Sequence, residues 1–284
     1  MHGTAVVFLT HLWSEAIARR FTRLWREASP VADVFLLLQS DDANVASRWD
    51  TALAGIGASD ALFRFSAATL PSQLGLPYFG MRGVLSNAHF PLLLFARSHP
   101  HSFYWQVEYD VELRGAWRPF LEARSDGDAA LIASHFHNIN EWPDWFWWMS
   151  FTRPASVAMQ ATQLYKAFMA IARFSHRALQ EVEQAHRDGW AGHFEAVIPT
   201  VLLRAGHHLE DLNVRGPCYA SGVPDPVPLL AMQSSVRARP AISLPELRNR
   251  GHGALLFHPV KDEWIFDGSE VLDLAASGAV PPTA

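Results

Sequence analysis

The stretch SFYWQVEYDVELRG, residues 102–115, sets three carboxylates, Glu108, Asp110 and Glu112, directly behind an aromatic and apolar approach. A short run rich in aromatic and β-branched residues reads as a buried strand. Residues two apart in a strand point to the same side. If the strand continues, all three carboxylates share one face, with Tyr109 and Val111 opposite. Such a set repels itself by about 1 kcal/mol per pair in water, and by more when partly buried. A cation is therefore expected beside it. Mg²⁺ is commonly held by one or two carboxylates together with substrate phosphates, so a divalent metal, Mg or Mn, fits the pattern. The plainer alternative is a solvated edge paired with Arg114 and Arg118.

Upstream of this run, TAVVFLT (4–10) reads as a buried strand, SEAIARRFTRLWREA (14–28) as an amphipathic helix capped by Ser14, and ADVFLLLQS (32–40) as a second buried strand. Strand, helix and strand in succession indicate a βαβ unit and a parallel sheet. ALFRFSA (61–67) adds a strand, and SNAHFPLLLFARSHP (86–100) a helix with Pro91 in its first turn. Downstream, AWRPFLEAR reads as a short helix and AALIASHF as a fifth strand. Apolar residues at three- and four-residue spacing predict one long helix over 156–186. A second helix is expected over 193–206, interrupted or kinked near Pro199, then a loop at 215–228 and a late strand at 253–260. No linker breaks the alternation, so one α/β domain is expected, mainly parallel and flanked by helices. In open parallel sheets ligands sit beyond the carboxyl ends of the strands. That rule singles out Thr10, His11, Asp41, Ser66 and the acidic run.

The chain has 284 residues, 49% of them hydrophobic and 18% charged, with a formal net charge of −5. The charge argues against nucleic acid as a partner, since phosphate-backbone binding needs excess Lys and Arg. A single cysteine excludes an intramolecular disulfide and makes a thiolate zinc site untenable. No apolar stretch reaches the roughly 18 residues of a membrane span, and the amino terminus lacks the layout of a signal peptide. A cytoplasmic protein is expected, with room for peripheral contact at the inner membrane face. No zinc-hydrolase, dinucleotide or nucleophile-elbow motif is present.

YWQVEYDVELRGAW (104–117) resembles the metal- and diphosphate-binding stretch of GT-A-fold glycosyltransferases. It is similar to that of a poorly characterised fungal and bacterial GT-A-like group, and distantly to the core-two branching and xylosyltransferase group. Three later segments carry the same resemblance in the same order. ARFSHRALQEVEQAH (172–186) resembles a helix bearing Arg-x-Ser, GHFEAVIPTVLLRAGHHLEDL (192–212) an acid followed by Pro-Thr and a helix, and LLFHPVK (255–261) a His-Pro-x-Lys element. The resemblance implies a GT-A-like domain with a nucleotide-binding half at about 1–115 and an acceptor-binding half at about 116–284. It implies a nucleotide diphosphate sugar as donor and a glycan or glycolipid acceptor. Asp110, with Glu108 or Glu112, would hold the divalent cation. Thr10, His11, Asp41 and Ser66 would face the nucleotide, and His258 and Lys261 the diphosphate. Glu195 would take the acceptor proton as general base.

NEWPDWFWWMSF (140–151) places four Trp within seven residues. Indole faces stack on sugar rings, so Trp142, Trp145 and Trp147, with Asp144 between them, are expected to form an acceptor platform. A core cluster is the alternative. Two other functions fit the same residues: a non-catalytic carbohydrate-binding protein, and a metal-dependent phosphate-ester hydrolase whose carboxylates activate water.

Overall fold

The structure is a computed structural model that describes residues 2–80, 82–220, 234–239, 241–243, 246 and 255–261. It opens on the expected βαβ unit. Strand β1 (His2–Thr10) leads into helix α1 (Glu15–Ala28), whose Ser14 cap accepts from the Ile17 N–H, and then into β2 (Asp33–Gln39). Helix α2 (Ala43–Gly55) and β3 (Leu62–Phe65) follow, then the short α3 (Leu70–Leu74) and α4 (Phe90–Ser98). Next come β4 (His101–Glu108), the two-residue β5 (Glu112–Leu113), α5 (Trp117–Glu122) and β6 (Leu131–Asn138). The chain continues through β7 (Tyr165–Ser175), α6 (His176–Arg187), α7 (Phe194–Arg204), β8 (Leu209–Asp211) and β9 (Leu256–Phe257).

Seven strands form one sheet in the order β3-β2-β1-β4-β7-β6-β8. The β3-β2-β1-β4 half is wholly parallel, and β8 is parallel to β6; β7 runs antiparallel to both of its neighbours. Alternation along the strands feeds two cores. Val6, Phe8, Leu36 and Leu38 pack with Ile17, Phe21 and Leu24 of α1, Trp49 of α2 and Phe120 of α5. Ala5, Val7 and Leu37, one residue out of phase, pack on the other face with Phe95 of α4, Leu179 of α6 and Ile198 of α7. A mainly parallel sheet flanked by helices in one α/β domain is the class expected from the sequence.

One element differs from its expectation. The predicted helix over 156–186 is a strand, β7, followed by the shorter α6. The sequence YKAFMAIARFS is apolar on both faces because β7 lies in the middle of the sheet with helices above and below. A strand buried on both faces is a continuous apolar run, and periodicity alone does not separate it from a buried helix. The Arg-x-Ser element therefore closes a strand. Arg173 donates to the Arg124 carbonyl at 2.7 Å, and Ser175 caps α6 by accepting from the Ala178 N–H at 3.1 Å. Helix α7 continues through Pro199. Of the expected late strand, residues 253–254 lie outside the described residues, as do 221–228 of the expected loop.

Candidate active site

A cavity of about 990 Å³ opens at the carboxyl ends of β1, β2, β3 and β4. Strand β4 ends at Glu108, and the chain then turns, the Val111 N–H closing on the Glu108 carbonyl at 3.0 Å. The turn breaks the alternation on which the three-carboxylate reading depended. Glu108 and Asp110 line the cavity; Glu112 does not. Its carboxylate points back into the domain, where Arg20 Nε meets it at 2.8 Å and an Arg23 Nη at 3.2 Å. Glu112 is thus corrected from a metal ligand to the anchor of α1 on β5.

The acid pair is completed from the far end of the chain. β9 pairs antiparallel with β5 and delivers His258, Pro259, Val260 and Lys261 beside the turn. The Val260 N–H donates to the Asp110 carbonyl at 2.8 Å. His258 Nε2 lies 3.3 Å from both Glu108 Oε2 and Asp110 Oδ1, and Lys261 Nζ pairs with the other Asp110 oxygen. Lys261 also donates to the Tyr109 hydroxyl at 3.0 Å. His258 Nδ1 donates to the Arg237 carbonyl at 2.7 Å, which fixes the ring and aims Nε2 at the carboxylates. Burial opposes charge on His258, but Asp110 and Glu108 outweigh it and raise the imidazole to about 10. Burial likewise opposes the Asp110 charge, yet His258 and Lys261 hold that carboxyl well below the usual range.

One ligand atom each from Glu108, Asp110 and His258 falls within a 4.8 Å group, the one group of this kind among the described residues. Asp110 Oδ1 is buried and makes no hydrogen bond of good geometry among the described residues, but it lies at ion-pair distance, 3.3 Å, from His258 Nε2. Two carboxylates and an imidazole form an oxygen-rich set that suits Mn²⁺, with Mg²⁺ favoured less by the nitrogen.

The nucleotide-facing candidates divide. His11 lines the cavity, its ring edge-on to Tyr109 at 5.5 Å. Thr10 lines it as well, but its hydroxyl is turned to the Leu12 carbonyl at 3.1 Å. Asp41 and Ser66 bond each other at 2.6 Å outside the lining; Gln39, Phe65 and Ala67 take that wall instead.

Glu195 and the tryptophans Trp142, Trp145 and Trp147 line the same cavity. Glu195 opens α7, is nearly buried and accepts weakly from the Met169 N–H at 3.4 Å. Burial pushes its carboxyl up, to about 7, against the Lys166 charge that pulls it down, and Glu108 adds to the rise. Trp142, Trp145 and Trp147 line the cavity while packing together against Ala196. Trp148 is a core residue whose indole N–H donates to the Trp142 carbonyl at 2.8 Å, and Asp144 is exposed outside the lining. Lys166 and His193 are among the lining residues not anticipated from sequence. With β7 read as a strand, Lys166, Phe168 and Ala170 share one face, and all three line the cavity.

No family model and no curated protein matches the sequence. Among solved structures, the chain is similar to a galactosyltransferase, LgtC, in complex with donor and acceptor sugar analogs, at 13% identity over 98% of both chains with a TM-score of 0.41. An active-site mutant of LgtC gives 12% identity over 98% of both chains and a TM-score of 0.41. A putative glucose-1-phosphate thymidylyltransferase from Bacillus anthracis, in complex with a sucrose, gives 9% identity over 74% of this chain and 87% of the other, with a TM-score of 0.43.

Proposed function

We propose that the protein is a glycosyltransferase that moves a sugar from a nucleotide diphosphate sugar to a hydroxyl of a carbohydrate or lipid-linked acceptor. The observation that carries this reading is the pairing, in one cavity, of a cation-binding cluster with an aromatic wall that holds a buried carboxylate. The cluster suits a diphosphate; the wall suits a sugar. The order of the four segments that resemble GT-A-like glycosyltransferases supports it.

Glu108, Asp110 and His258, the last after releasing its Nε2 proton, would hold the divalent ion, which when bound would neutralise diphosphate charge. Lys261, half exposed at the rim, brings a second positive charge to the same place. His11, Gln39 and Phe65 offer a wall for the nucleoside. The first half of the chain, joined by His258 and Lys261, thus takes the donor, and other lining residues beyond 116 take the acceptor. In transfer, the acceptor oxygen forms its bond to the anomeric carbon as the bond from that carbon to the diphosphate oxygen breaks. Glu195 takes the acceptor proton, and the electron pair leaves on the diphosphate beside Lys261. A carboxyl raised toward neutrality by burial is a better base than an exposed one. Among the described residues there is one cation cluster, whereas a two-metal phosphoesterase needs ligands for a pair.

The test is release of nucleoside diphosphate from a panel of nucleotide sugars, with and without candidate acceptors. Acceptor-stimulated release that Asp110→Asn removes is the expected result. Release that is independent of every acceptor would favour hydrolysis, and no turnover of any nucleotide sugar would refute the reading.

A further inference from the structure

We propose that the inner end of the cavity binds an anionic group of the acceptor, a sugar carboxylate or sugar phosphate, on the Lys166 ammonium beside the indole faces of Trp142 and Trp145. The word acceptor rests on the transferase reading; the anion site rests on the cavity itself.

Lys166 is only 2% exposed. Its Nζ stands 4.6 Å from the Trp142 ring centre and 5.0 Å from that of Trp145. Among the described residues Nζ makes no hydrogen bond and no ion pair. Buried lysines are almost always paired, because desolvating an ammonium is costly. Cation–π contact with two indoles returns part of that cost, but an indole face offers the three N–H donors no oxygen acceptor.

The surroundings supply no counter-charge at contact distance. Glu195 acts on Lys166 through space, without an ion pair. His135, His137 and His193 are imidazoles that burial keeps uncharged, and the Lys166 charge adds to that effect on each. His193 stacks on Trp147 at 4.4 Å and 21°. Its Nδ1 is buried with no hydrogen-bond partner among the described residues, Glu195 Oε2 lying 3.8 Å away. Arg82 lines the same cavity from its exposed side. A nearly buried lysine ammonium and an imidazole nitrogen, both without a hydrogen-bond partner among the described residues, therefore meet flat aromatic faces along one cavity. A sugar ring lies on indole faces through its C–H groups, and a carboxylate or phosphate on that ring supplies the missing oxygens. A neutral sugar leaves the ammonium as it is.

Calorimetry at pH 7 on the whole chain tests this with D-glucuronate, D-glucose 6-phosphate and D-glucose as probes. We expect at least one anionic sugar to bind about tenfold more tightly than glucose, a difference of about 1.4 kcal/mol. Which anion gains identifies carboxylate or phosphate as the recognised group. Lys166→Met should abolish the difference, and Lys166→Arg should retain part of it. The comparison of probes on the wild-type chain stands even if a variant fails to fold. Equal binding of all three probes, including none detected, overturns the proposal, as does an undiminished anion preference in folded Lys166→Met. Titration of uridine diphosphate with Mn²⁺ on the same samples separates the two readings. Anion preference without nucleotide binding keeps this site and removes the transferase, and the reverse result removes this site alone.

Discussion

Asp110 and Glu112 are two residues apart and equally buried, at 3% and 2% exposure, yet their surroundings differ in kind. Glu112 meets two guanidinium groups from α1, held in place by a helix that packs along the sheet. Asp110 meets a histidine and a lysine delivered by a short segment from the far end of the chain, the histidine at 3.3 Å from Oδ1 and the lysine on the other oxygen. The first arrangement is closed and lies in the body of the domain. The second is open to a cavity. Burial and charge alone do not distinguish a structural carboxylate from a functional one; what neutralises it, and what is left over, does.

The largest effect expected from this contrast is on catalysis beside the open acid. Glu195→Gln keeps the shape but takes no proton, so kcat should fall by about 10²–10⁴ while donor affinity hardly changes. The wild-type rate should also rise with pH through about 7, because the Glu195 carboxyl that burial holds up must ionise before it can act as base. A variant with wild-type turnover on the true acceptor would reduce Glu195 to a helix-start residue. Stopped-assay kinetics across pH make both checks.

At the closed acid the effect should fall on stability instead. Glu112→Gln leaves Arg20 as a buried charge with its partner weakened, and removal of one partner of a buried pair costs about 3–5 kcal/mol. Urea unfolding should show that loss, with nucleotide affinity of the folded fraction close to wild type. A stable Glu112→Gln protein with impaired nucleotide binding would reverse the roles assigned to the two carboxylates.

The contrast also marks what the sequence could and could not disclose. The βαβ opening was legible because β1 and β2 are short apolar runs around an amphipathic helix with a side-chain cap. The segments holding Glu108, Asp110, His258 and Lys261 were singled out separately, and the structure brings these four together. Glu112 was misplaced because a turn at Tyr109 and Asp110 is invisible in an alternating pattern. β7 was misread because a strand covered on both faces has no polar side to reveal its period of two, and with it Lys166 was lost among apolar neighbours. Read as strand, a lone lysine in phase with Phe168 and Ala170 would have pointed to the cavity. Asp41 and Ser66 illustrate the opposite limit: they sit at strand ends, but they bond each other and stay outside the lining.

The central claim is that Asp110, and not Glu112, serves a cation that holds a nucleoside diphosphate. Calorimetry of uridine and guanosine diphosphate with Mn²⁺ and with chelator, on wild type, Asp110→Asn and Glu112→Gln, measures it directly. Binding should be about tenfold tighter with Mn²⁺ for wild type and for folded Glu112→Gln, a gain of about 1.4 kcal/mol, with most of that gain gone in Asp110→Asn. Equal affinity with metal and with chelator in the wild type, or a gain that survives Asp110→Asn and vanishes in Glu112→Gln, would contradict it.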